Sequence, residues 1–161
     1  AGTLMVRGPW TVERYFRSDT SALDAEGWFD TGDIATLDEN GFMRITDRTK
    51  DVIKSGGEWV SSIDVENAAI SCPGVRVAAV IGVYHPKWEE RPLLIVETHP
   101  GETVTMEMML AHLEDKIVKW WMPDDMILDE VPLTATGKID KKVLRDRYYN
   151  YLADSRLQAQ L

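Results

Sequence analysis

Residues Asp47–Ala68 read DRTKDVIKSGGEWVSSIDVENA, and the fold class turns on the change of period inside them. Up to Val60 the stretch predicts a hairpin: DVIKSGGEWV sets short apolar runs on either side of Ser55-Gly56-Gly57, which are turn residues. From Ser61 the period becomes helical. Ser61 with Asp64 at the third position after it resembles a capping box, and Val65, Ala68, Ala69 and Cys72 recur at helical spacing until Pro73-Gly74 stops them.

Downstream, VRVAAVIGV (75–83), PLLIVET (92–98) and MILDEV (126–131) are β-branched and apolar, too short for helices, and predict strands. Met106, Met109, Leu110, Leu113 and Ile117 mark one face of a helix capped by Thr105 and ended before Pro123; its methionines read as core filler. Leu144, Tyr148 and Tyr151 or Leu152 predict a last helix. Upstream, TLMVRG (3–8) predicts a strand ended by Gly8-Pro9. In GWFDTGDIATLDENGFMRIT (27–46), Asn40-Gly41 predicts a hairpin turn in which both residues take positive φ. The chain therefore changes character near Asp47, from a β-rich piece too small for its own core to a compact α+β unit of about a hundred residues.

Totals narrow the function. The 161 residues suffice for one domain, or for a small domain with part of a larger one. A net charge of −9 argues against a nucleic-acid surface while allowing anionic small ligands, which need only a few placed cations. No apolar run spans a bilayer and no secretory signal opens the chain, so a cytoplasmic location is expected, with peripheral membrane association left open. The single Cys72 excludes an internal disulfide and reads as a buried thiol. His85, His99 and His112 lack ligand spacing, and no metal site is assigned.

PLTATGKID (132–140) puts Lys138 directly after Gly137 and before the last helix. A P-loop would require glycine where Pro132 stands and Ser or Thr where Ile139 stands, so that reading fails. By itself the stretch is most simply a surface turn with a solvated lysine.

Three stretches in order, WFDTGDIA (28–35), DRTKDVIKSGGEWVSSIDVENA and PLTATGKIDK (132–141), resemble the C-terminal part of the adenylate-forming superfamily, which includes acyl-CoA synthetases, peptide-synthetase adenylation domains and luciferases. The resemblance implies a small mixed β-sheet with flanking helices over 48–152, preceded over 1–47 by β-hairpins from a β-barrel subdomain, with 153–161 a frayed tail. It implies Lys138 as the catalytic ammonium at the α-phosphate of ATP. Asp33 and Arg48 then contact the nucleotide ribose, Lys50 is the hinge, and Lys54, Gly56 and Gly57 enter the site for the thioester step. Read alone, Arg48 is a strand-end ion-pair partner of Asp47 or Asp51. Glu66 is expected to brace its helix against the hairpin. KSGGEWVSS (54–62) most resembles bacterial medium- or long-chain fatty acyl-CoA ligases, although family members often carry a basic or aromatic residue where Gly56 stands and an arginine where Trp59 or Val60 stands.

The implied reaction joins a fatty acid to CoA at the expense of ATP, with Mg2+ held mainly by a preceding domain. The family's phosphate loop, acid pocket and aromatic-Gly-x-Thr-Glu motif precede this region, so the chain is expected to be a fragment, inactive alone and partnered by its own N-terminal domain. The rivals are another adenylate-forming enzyme, such as a peptide-synthetase domain, and a non-enzymatic module that only binds nucleotide or a partner.

Overall fold

A computed structural model describes residues 1–153; the tail expected to fray lies, apart from Ala153, outside the described residues. By internal contacts the chain divides between Lys50 and Asp51 into two compact units.

The N-terminal unit holds β1 (Gly2–Val6), β2 (Phe29–Leu37) and β3 (Met43–Arg48) in an antiparallel sheet of order β1-β2-β3. Ile34 is buried, whereas Leu37, Met43 and Ile45 are exposed. The β2–β3 turn differs from the expectation. Only Gly41 has positive φ, at 82°, and Asn40 does not. The cause is Asp38, whose Oδ1 accepts the Asn40 and Phe42 N–H groups at 2.9 and 2.8 Å and organises a wider loop from within.

The C-terminal unit contains β4 (Ile53–Ser55), β5 (Glu58–Val60), α1 (Ser62–Ile70), β6 (Val75–His85), β7 (Glu89–Thr98), α2 (Met106–Leu113), β8 (Asp125–Leu128) and α3 (Lys141–Tyr148). Its sheet has the order β5-β4-β7-β6, and β8 pairs parallel with β7, so the sheet is mixed. Alternate residues of β6 and β7 serve opposite faces. Ala78, Val80, Leu94 and Val96 pack with Val65 and Ala69 of α1 and Met109 and Leu113 of α2. Ala79, Ile81, Leu93 and Ile95 pack with Leu144 of α3 and Leu152. Burial on both faces explains the unbroken apolar runs, and each such Val, Leu or Ile contributes about 1.5–3 kcal/mol.

The helix ends follow local chemistry. Ser61 Oγ accepts the Asp64 N–H at 3.2 Å, Thr105 Oγ1 the Met108 N–H at 3.2 Å, and Asp140 Oδ1 the Val143 N–H at 3.3 Å. Helix α2 is shorter than its apolar spacing predicts. It stops at Leu113, and a 3-10 turn at Lys119–Trp121 follows. Ile117 and Trp121 still reach the core below α1 and α2, so two short pieces maintain the spacing that reads as one long helix. Cys72 is buried and burial pushes its thiol pKa up, in keeping with a packing role. No described helix is long and apolar enough to cross a membrane.

Candidate functional site

Asp33 and Arg48 are register partners on β2 and β3 of the N-terminal unit. Arg48 Nε lies 2.9 Å from Asp33 Oδ1, with the arginine 56% and the aspartate 19% exposed. The structure thus brings these two sequence-predicted residues together. It also corrects the alternative reading of Arg48: its ion-pair partner is Asp33, while Asp51 is engaged by Arg145 Nη1 at 2.7 Å. Cross-strand register decides this, since directly paired residues place their side chains on one face. Lys50 is exposed and makes no hydrogen bond or ion pair among the described residues.

In the C-terminal unit Lys138 sits on a tight loop between Leu133 and Ile139, which form an isolated antiparallel bridge. The Thr134 N–H donates to Lys138 O at 2.7 Å, the Gly137 N–H to Thr134 O at 2.9 Å, and the Lys138 N–H to Thr134 Oγ1 at 3.2 Å. Gly137 has φ 77°, a conformation that costs a residue with a Cβ about 1 kcal/mol or more. The loop is therefore shaped by its own backbone and Thr134, leaving the Lys138 side chain exposed. Its ammonium has no partner among the described residues.

The base of that loop is held firmly. Lys141, the first residue of α3, lies 2.8 Å from Glu66 Oε1 and donates to Ser62 Oγ at 2.6 Å. Glu66 Oε1 also accepts the Val80 N–H at 2.8 Å, on the edge of β6 that β7 does not occupy. The lysine and glutamate side chains are only 11% and 15% exposed. Glu66 thus ties α1 to β6 and α3, where the expectation was a brace against the hairpin. Its backbone partner on β6 comes from closing a sheet edge, a contact with no local sequence signature.

Lys54, Gly56 and Gly57 lie together on the β4–β5 hairpin, as their spacing predicts. Ser55 pairs with Glu58, and Gly56 and Gly57 make the turn with φ 58° and 85°. Lys54 is exposed, and its N–H donates to Glu90 Oε2 at 2.9 Å. A Cβ on Gly56 would come within 2.9 Å of Trp88 Cε3, whereas one on Gly57 would meet nothing within 4 Å. Trp88 packs edge-on against Trp120, with ring centroids 5.1 Å apart. Beneath them Arg91 Nε donates to Asp124 Oδ1 at 2.7 Å, and Nη1 donates to Ser55 Oγ at 3.1 Å and Trp120 O at 3.0 Å.

Sequence reading missed Lys141, Arg91, Trp88 and Trp120. Arg91 did leave a signal: a cation at the head of an apolar strand must find partners if it is buried. The Lys141–Glu66 contact joins distant segments and left none. Among the described residues no group of three His, Cys, Asp or Glu side chains could hold a metal ion.

Residues 64–138 match the AMP-binding enzyme C-terminal domain. A 3-methylmercaptopropionyl-CoA ligase of Ruegeria pomeroyi is 50% identical over 152 residues, covering 94% of this chain and 28% of that protein. A medium-chain-fatty-acid–CoA ligase of Ectopseudomonas oleovorans is 46% identical over 155 residues, covering 96% of this chain and 28% of that protein. The chain thus spans a little over a quarter of the length of these relatives. Among solved structures, the o-succinylbenzoate CoA synthetase of Bacillus subtilis, in complex with its acyl-adenylate intermediate, superposes with a TM-score of 0.79 at 31% identity, covering 89% of this chain and 30% of that one. The chain belongs to the adenylate-forming superfamily, and the domain it carries is that family's C-terminal one.

Proposed function

We propose that this chain is the mobile C-terminal part of an ATP-dependent acid–CoA ligase acting on a fatty or similarly simple aliphatic acid. In the first step the carboxylate oxygen of the acid bonds to the α-phosphorus of ATP and pyrophosphate leaves. In the second the CoA sulfur bonds to the acyl carbon, AMP leaves and the thiol proton is lost. The observation that carries the reading is Lys138: an ammonium without a partner among the described residues, held out on a loop whose base is clamped to the core. A cation fixed in this way stabilises the negative charge that builds between acid and α-phosphate without having to reorganise.

The other residues take complementary parts. The Asp33 carboxylate accepts hydrogen bonds from both ribose hydroxyls, while Arg48 fixes its orientation through Oδ1 and stays exposed enough to reach the same sugar. Lys50 is the residue about which the C-terminal unit turns to exchange its faces. After the turn, Gly56 and Gly57 present bare backbone along the path of the CoA arm, with Lys54 beside them. Mg2+ enters with ATP and is held by the domain that precedes this one, as is the acid. A cytoplasmic location, where ATP and CoA are available, fits the same chemistry.

The test uses the full-length parent with ATP, Mg2+ and CoA against straight-chain fatty acids of graded length and 3-methylmercaptopropionate. Acyl-CoA and AMP should appear in equal amounts for at least one of these acids. Thioester formed only on a carrier protein would favour a peptide-synthetase role. Nucleotide binding without turnover would favour a non-enzymatic module.

A further inference from the structure

Lys50 lies between two pinned neighbours. On one side the Thr49 N–H donates to Gly32 O at 2.9 Å, within the N-terminal unit. On the other, Asp51 Oδ1 lies 2.7 Å from Arg145 Nη1 within the C-terminal unit, the side chains 14% and 26% exposed. Arg145 sits on α3 four positions after Lys141, so both side chains project from one face of that helix. One helix face thus grips the first residue after Lys50 through Arg145 and the α1–β6 edge through Lys141. The Lys138 loop leads straight into that helix.

We infer that Arg145 is a positioning residue: through Asp51 it fixes α3, and with it Lys138, to the backbone immediately beyond the hinge. The inference rests on the roles given above to Lys50 and Lys138. A hinge delivers a distant group to one place only if rotation stays at one residue and the flanks move as rigid bodies. With the pair intact, turning at Lys50 carries Asp51, α3 and the Lys138 loop together. Without it, the segment from Asp51 gains torsional freedom, and the rotation spreads over several bonds before reaching the buried Val52 and Ile53. The ammonium then arrives with a spread of positions. Misplacement by about 1 Å can cost about a hundredfold in rate, so a partial loosening should cost about tenfold.

A double-mutant cycle in the full-length enzyme separates this role from general weakening of the fold. Single-turnover adenylation is measured for Arg145→Ala with Lys138 present and in the Lys138→Ala background. The expected result is a loss of about tenfold in the first case and less than about twofold in the second, because a positioning residue has nothing left to position. The swapped pair Asp51→Arg with Arg145→Asp should recover most of the rate. Should Arg145→Ala fail to fold, Arg145→Lys keeps the charge without the planar fork and should show a smaller loss, again only with Lys138 present. An equal loss in both backgrounds, or none in either, would overturn the inference while leaving the reading of Lys138 intact. If Lys138→Ala alone left adenylation unchanged, that reading would fail, and this one with it.

Discussion

The Lys138 loop and the Gly56–Gly57 turn both need a backbone with positive φ, yet they are built in opposite ways. Around Gly137 there is open space: a Cβ there would meet nothing within 4 Å. Its glycine is needed for backbone angle alone, and the loop holds up one long side chain. Gly56 is backed by the Trp88 ring, so its glycine is needed for both angle and room. That turn holds up no side chain and leaves bare backbone over an aromatic support. The contrast fits the division of labour proposed for them, one loop supplying a charge and the other a smooth wall. Each is anchored by its own ion pair, Lys141 with Glu66 for the loop and Arg91 with Asp124 for the turn, both pairs partly buried.

The contrast can be broken from either side. The largest effect is expected for Glu66→Ala, which takes the carboxylate from the largely buried Lys141 ammonium; removing one partner of a fully buried pair costs about 3–5 kcal/mol, and this partly exposed pair should approach the lower end. Thermal unfolding should register the loss. Hydrogen exchange should locate it in the first turn of α3 and the Lys138 loop, ahead of the Gly56–Gly57 turn. Gly56→Ala should do the reverse. Strain at positive φ adds about 1–2 kcal/mol and displacing Trp88 about 1–3 kcal/mol. Loosening should appear in the turn and the tryptophan fluorescence should change, with the Lys138 loop unaffected.

Gly137→Ala should be milder, about 1 kcal/mol, because only the angle is at stake. If chemical denaturation shows it to be as damaging as Gly56→Ala, the loop has contacts that the open space denies. Acid should have the smallest effect, on the side of the molecule that carries α3. The Tyr148 hydroxyl bonded to Asp129, and the Arg76 guanidinium bonded to Glu97, hold both carboxyls below their usual pKa range. A carboxyl held low in the folded state stabilises fully above its ordinary value near 4 and loses that contribution as pH falls through the folded value. A denaturant midpoint followed from neutral pH downward should therefore decline only below about pH 5, and less steeply in Asp129→Asn.

What was readable in the sequence was local. The Ser61 cap, the Gly56–Gly57 turn and the two-sided strands β6 and β7 each write their reason within a few residues. Asn40-Gly41 misled because Asp38, two residues before, offered the loop a better set of hydrogen bonds. Helix α2 was overlong in prediction because apolar spacing cannot tell a continuous helix from a helix followed by a turn that buries the same residues. Lys138, Asp33 and the Gly56–Gly57 turn were picked out by resemblance, since composition alone made each a plain turn or strand residue. Their supports, Lys141 on Glu66 and Arg91 on Ser55 and Asp124, depend on which distant segments the fold brings together, and no local pattern records that.

The central claim is that the two loops serve different half-reactions, and measuring those half-reactions separately in Lys138→Ala and Gly57→Leu tests it most directly. Gly57 is the cleaner choice on the turn, because a Cβ there would meet nothing within 4 Å, so beyond the backbone strain that its φ of 85° imposes the added side chain should act on the ligand. Adenylation is followed in a single turnover with ATP and acid, and thioester formation is started from pre-formed acyl-adenylate and CoA. Lys138→Ala should slow the first step by about a hundred- to a thousandfold and spare the second. Gly57→Leu should make pyrophosphate at nearly the normal rate, accumulate adenylate on the enzyme and release little acyl-CoA. Equal losses in both steps for either variant, or the two patterns exchanged, would contradict the assignment.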